Sequence, residues 1–156
     1  MRNSKSNSEV IGECMSRFSK SNDSWIQGSW LTGSEDAELE FIIEHERACL
    51  AGALALMQGL NPKANTIVDT RTLPCTTSIA SAIEQLFPER YHGSEDVISH
   101  VVNFNDNSDT TIEDVLLVLK HAYEEELEKE EKLRQEEEAN VEIVEWYVAR
   151  KTVTND

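Results

Sequence analysis

Few residues in this chain have the types and spacing that chemistry needs. His45 and Cys49 are four apart. On one helix that spacing offers two ligands to a metal, or a thiol and its base to a substrate. A plainer reading competes with both. From Ala48 the chain runs Ala-Cys-Leu-Ala-Gly-Ala-Leu-Ala-Leu-Met, and a thiol buried in such surroundings is inert. No second ligand pair has a recognisable spacing, so no metal is assigned. Asn103, Asn105, Asp106, Asn107 and Asp109 have the composition of a calcium loop. They lack the Gly and the closing Glu of an EF-hand, which favours a capped turn. There is no nucleophile elbow, phosphate loop, dinucleotide fingerprint or zinc motif. No catalytic residue and no cofactor is assigned, and the balance falls against an enzyme.

Charge is the strongest global signal. Thirty acids against fourteen bases give a net charge of −16 over 156 residues. Such a surface repels nucleic acid and anionic membranes, and phosphate binding needs a basic stripe that is absent. The acids come in blocks. Residues 35–48 hold six, 94–123 hold six, and 124–138 hold nine with three bases among them. Cys14, Cys49 and Cys75 are odd in number, with no Cys-x-x-Cys pair, so no disulfide framework is expected. No apolar run is long enough for a membrane span, and the polar N-terminus does not read as a signal peptide. The expected compartment is the cytoplasm, where thiols stay reduced.

These side chains must be positioned by elements that the apolar spacing predicts to be mainly α-helical. After a floppy polar start over 1–7, Ser8 is expected to cap a helix packed through Val10, Ile11, Cys14, Met15 and Phe18, ending in the polar run 19–24. Trp25 and Trp30 flank Gly28 in a short aromatic segment that reads as a lid on one end of the core. Ser34 is expected to start a central helix from about Asp36 to Gln58 that becomes apolar all round from Ala48, with Ala51, Gly52 and Ala53 admitting a close neighbour. Gly59 and Pro62 should stop it. Residues 61–75 read as loop, with a short extended piece at Thr66–Val68. A helix opened by Pro74 should pack through Ile79, Ala80, Ile83, Leu86 and Phe87. Another, started at Ser94–Asp96, should use Val97, Val101 and Phe104 before a polar loop over 103–109.

Thr110 and Glu113 suggest a capping box for a last helix packed through Ile112, Val115, Leu116, Leu119 and Ala122. Past Tyr123 that helix turns charged, with Glu125/Lys129, Glu128/Lys132 and Glu130/Arg134 in the favourable order. The tail 141–156 has a strand-like composition in Val141–Val148, yet Val141, Val144 and Val148 also fit a helix. The uninterrupted run before it favours helix, with a short β element as the alternative. The organisation expected is therefore a compact helical core over 8–122, an acidic helical extension over 123–140, and an apolar, aromatic tail.

The order of four motifs resembles a known family. They are Trp25-Ile26-Gln27-Gly28, Cys49-Leu50-Ala51-Gly52-Ala53-Leu54, Phe104-Asn105-Asp106, and Thr111-Ile112-Glu113-Asp114-Val115-Leu116. Together they resemble small uncharacterised proteins of actinobacteria and their phages. The resemblance spans residues 10–122 and implies a shared fold and a bacterial or phage origin, hence a host cytoplasm for a phage product. It implies no activity, and the acidic extension departs from the family pattern.

Three functions follow as expectations. The first is a non-enzymatic protein that binds another protein, one of basic surface, through Glu125, Glu128, Glu131, Glu137, Trp146 and Tyr147, with a homodimer through the tail as a further expectation. The second is a small-molecule or nucleotide site, if the fold brings the Asn105–Asp106 loop beside Trp25, Gln27 and Cys49. The third is a DNA mimic that occupies a nucleic-acid-binding protein with rows of acids.

Overall fold

The computed structural model describes residues 5–32, 38–60, 73–91 and 96–154. The expected helix start at Ser34–Asp36, the extended piece at Thr66–Val68, and Ser94 and Glu95 lie outside them. Six α-helices follow one another among the described residues: α1 Asn7–Lys20, α2 Leu39–His45, α3 Leu50–Met57, α4 Leu73–Leu86, α5 Val97–Asp106 and α6 Ile112–Thr154. The fold is mainly α, as the spacing predicts, and the segment 141–148 is helical. Two units divide the chain, Met1–Glu124 and Glu125–Asp156.

The first unit is built around α3. All eight of its residues are buried, with α1, α4 and α5 packed around it. Its composition explains the place: a helix with no polar face must be covered on every side. Phe18, Ile42, Ile79, Phe104 and Leu119 are among the buried side chains of the core it belongs to. Gly59, at φ +81°, ends the helix in a Schellman turn, with Gly59 N–H on the Leu56 carbonyl at 3.0 Å and Leu60 N–H on Ala55 at 3.0 Å.

Several boundaries differ from the expectation, each for a local reason. The first helix is capped by Ser6, whose hydroxyl accepts from Glu9 N–H at 3.2 Å. Ser8 is instead buried inside it. The capping box at α6 belongs to Thr111 and Asp114, one residue beyond the pair expected. Asp114 N–H meets Thr111 Oγ1 at 3.3 Å, and Thr111 N–H meets Asp114 Oδ2 at 3.2 Å. Thr110 and Asp114 serve another partner as well, since Arg90 donates to Thr110 Oγ1 at 3.1 Å and Asp114 Oδ2 at 3.0 Å. Leu86, expected in the core, is exposed because α4 turns its last residue outward.

The largest correction concerns the single central helix predicted over 36–58. It is two helices, α2 and α3, separated by an extended stretch at Glu46–Cys49. That stretch lies between residues 24–26 and 30–32 and takes its hydrogen bonds from them. Ala48 N–H donates to Ser24 at 2.8 Å, Ile26 N–H to Ala48 at 3.2 Å, Thr32 N–H to Arg47 at 3.0 Å, and Cys49 N–H to Trp30 at 3.1 Å. Arg17 from α1 donates to the carbonyls of Ile43 and Glu46 at the end of α2. Backbone groups that a continuous helix would pair internally are thus claimed by other segments.

Candidate functional site

Trp25, Gln27, Asn105 and Asp106 do meet in space. Asn105 is fully buried on α5. Its Oδ1 accepts from Trp25 Nε1 at 2.7 Å and from Leu50 N–H at 3.0 Å. Its Nδ2 donates to the Ile26 carbonyl and to Asp106 Oδ1, both at 3.0 Å. Gln27 Nε2 donates to the carbonyls of Asn105 and Asn107, each at 2.9 Å, where α5 ends. Gly28 N–H donates to Asp106 Oδ1 at 2.8 Å, from a residue whose φ of +77° favours glycine. The Trp-x-Gln-Gly element is therefore a clasp: four consecutive residues, Trp25 to Gly28, hold the end of α5, whose Asn105 also bonds the start of α3.

The expected polar loop at 103–109 is mostly helix. Asn103, Asn105 and Asp106 lie on α5, and only from Asn107 does the chain turn, with Asp109 N–H on Asn107 Oδ1 at 2.9 Å. Asparagine is a weak helix former, but the bonds of Asn105 reach residues far away in sequence and override that preference. The calcium-loop composition thus has no loop to act in.

Cys49 adjoins the clasp as the N-cap of α3. Its Sγ accepts from Gly52 N–H at 3.2 Å. Burial pushes the thiol up to about 11, with the Gly52 bond opposing. Its sulfur serves as the capping acceptor of α3, and burial favours the neutral thiol. Gly52 has a steric reason as well: a Cβ there would stand 2.4 Å from the Trp30 carbonyl oxygen. The small residues of α3 thus admit the backbone of the aromatic segment as a close neighbour.

His45 and Cys49 are not a pair. The extended stretch between them separates them, with His45 at the end of α2, exposed and its ring tilted against Phe41 at 4.6 Å, while Cys49 caps α3 and is 4 % exposed. Neither a metal pair nor a thiol–imidazole couple forms. Cys14 and Cys75 are also buried, and burial pushes the Cys14 thiol further up still, with Cys75 adding to it.

Two concavities border these residues. One of about 70 Å³ is lined by Gly28, Ser29, Trp30, Cys49, Val102 and Asp106, room for no more than a few waters. The other, an open groove of about 570 Å³ beside α1, mixes Arg17, Lys20 and Arg47 with Glu13, Glu44 and Glu46. Arg17 was missed in the sequence because its role is set by carbonyls of a helix end that only the fold supplies. Arg90 was missed for a similar reason. It packs over Phe87 at 4.7 Å while bonding the start of α6.

In the second unit, Glu128, Glu131 and Glu137 are exposed and Glu125 is half-buried. Arg134 donates to Glu131 at 2.5 Å and to Glu138 at 3.1 Å, and Lys129 reaches Glu126 at 3.4 Å. The bond from Arg134 holds the Glu131 carboxyl below its usual range. Trp146 is 59 % exposed and Ile143 63 %, with Val141, Val144, Tyr147 and Val148 also more than half exposed. No helix among the described residues is long and apolar enough to cross a membrane.

Residues 21–125 match a family of unknown function, DUF6197. This chain belongs to that family. The matched stretch contains the clasp, the Cys49 cap and the capping box of α6, and it stops where the second unit begins. No curated protein and no solved structure matches the chain.

Proposed function

We propose that this DUF6197 protein is a non-enzymatic interaction protein, of actinobacterial or phage origin, that captures another protein on residues 125–154. One observation carries the reading. Val141, Ile143, Val144, Trp146, Tyr147 and Val148 are all more than half exposed along a single helix. Exposed apolar side chains gathered in so short a segment mark interaction sites, and tryptophan and tyrosine are the residues that anchor them. The acidic block just before it suits a partner with a basic surface. The motif order supports the proposed origin.

The experiment is capture of partners from an actinobacterial lysate by the full chain and by its Ile143→Ser/Trp146→Ser variant. Both substituted residues are exposed, so the fold should be kept, which thermal unfolding checks. The partner should be lost with the variant. Undiminished capture of the same partner overturns the reading.

The other two expectations fit less well. Trp25, Gln27, Asn105 and Asp106 direct their polar atoms at one another and at backbone, which leaves little for a ligand. A DNA mimic needs unneutralised rows of acid, whereas Lys129 and Arg134 pair within the densest block. Competition by duplex DNA for the captured partner would favour mimicry instead.

A further inference from the structure

The segment 139–148 of α6 has two apolar stripes. At 100° per residue, Val141, Val144 and Val148 share one side with Tyr147 at its edge, and Ala139, Ile143 and Trp146 share a side roughly 150° away. One partner surface against Ile143 and Trp146 leaves the valine stripe in water.

Charge along the valine stripe follows an order. Glu137, Val144 and Lys151 are spaced at seven and seven, so they lie on nearly one line. A line that runs acid, apolar, base about a central residue is complementary to itself when reversed. Two antiparallel copies with Val144 opposite Val144 place Glu137 opposite Lys151 twice. Val141 then meets Tyr147 twice. A parallel pair would instead set the nine acids of 124–138 against nine more, and Lys151 against Lys151. Like charges so placed are destabilising.

We infer that residues 137–151 are a self-association element whose occupant is a second copy of this chain, antiparallel, on a two-fold axis at Val144. The inference rests on the reading that residues 125–154 bind protein, and it assigns the valine stripe to the second copy and the Ile143/Trp146 stripe to the captured partner. Such an isologous arrangement closes as a dimer.

Sedimentation velocity of the full chain over a concentration series tests it. A reversible monomer–dimer equilibrium is expected. Lys151→Glu and Glu137→Lys should each weaken it by about tenfold at low salt, because two attractive contacts become repulsive. The double variant Glu137→Lys/Lys151→Glu should restore it. These positions are exposed, and circular dichroism reports whether helix content is kept. A chain that stays monomeric at every concentration overturns the inference, as does a larger oligomer. A dimer indifferent to the single charge reversals overturns the antiparallel arrangement. None of these results touches capture through Ile143 and Trp146, which is read separately by the Ile143→Ser/Trp146→Ser variant.

Discussion

Asn105 holds more of this fold than any other single polar side chain among the described residues that form the clasp. It supplies an acceptor to the first N–H of α3, a group that every helix start leaves without an intrahelical partner. It satisfies the indole of Trp25 and the carbonyl of Ile26 at the same time. Asn105→Ala leaves those groups buried without partners and should cost roughly 2–4 kcal/mol, read from urea denaturation. Cys49 caps the same helix at the N–H of Gly52, two residues further in. Cys49→Ala should cost about 1 kcal/mol, and Cys49→Ser should recover most of it by presenting a hydroxyl to the same N–H. The thiol also carries a pH signature. Its folded value, about 11, lies above its ordinary 9.0, so the neutral form is the one the fold favours. Its contribution to stability should be full below pH 9 and be lost as pH rises toward 11. Alkylation by iodoacetamide at pH 8 should accordingly be far slower in the native protein than in urea. Fast native labelling at Cys49 would contradict this account of its burial.

The element that decides the topology of the first unit is the break between α2 and α3. Its sequence has no proline and no glycine before Gly52, and its apolar spacing is helical throughout. Local preference therefore points to one helix. What wins is a set of distant partners: Arg17 on the carbonyls ending α2, and the aromatic segment on both sides of Ala48. Arg17→Met should keep the aliphatic packing and remove the carbonyl bonds. Hydrogen exchange should then accelerate at Ala48 and Cys49, with little change in α4 or α5. Protection unchanged at those amides would mean the aromatic segment alone holds the break. Gly52→Ala tests the other side of the same contact. The 2.4 Å clash with the Trp30 carbonyl is with backbone, which cannot swing aside, so a loss of roughly 1–3 kcal/mol is expected by thermal unfolding.

At the scale of the whole molecule, the family match and the division into units coincide near residue 125. Among the described residues the buried apolar ones all lie at or before Ala122, and the exposed large apolar ones concentrate after Tyr123. A chain ending at Glu124 should thus still unfold cooperatively in urea and retain protection of Cys49 from alkylation. It should lose self-association and partner capture together. If the shortened chain fails to unfold cooperatively, residues 125–154 contribute to the core of the first unit, and the separation of fold from function proposed for them is wrong.

The sequence by itself determined what repeats locally. Apolar spacing placed the helices, the all-apolar run picked out α3 as the centre, Gly59 marked its end, and the charge blocks located the acidic extension. The resemblance read from four motifs pointed to a family, and their order is now explained by contact: the Trp-x-Gln-Gly element bonds Asn105 and Asp106 of α5, while Cys49 and Gly52 receive the backbone of Trp30. Tertiary structure alone decided the break after His45, the shift of the capping box to Thr111 and Asp114, and the burial of Asn105 inside a helix. The capping box is a local pair whose Asp114 is also held by Arg90, while the break and the burial of Asn105 share a reason. Both depend on hydrogen-bond partners many residues away, and a group claimed by such a partner no longer follows the preference of its neighbours. His45 and Cys49 show the consequence most plainly. Four residues apart in sequence, they are separated by an extended stretch whose conformation is set by Arg17, Trp25, Trp30 and Leu31.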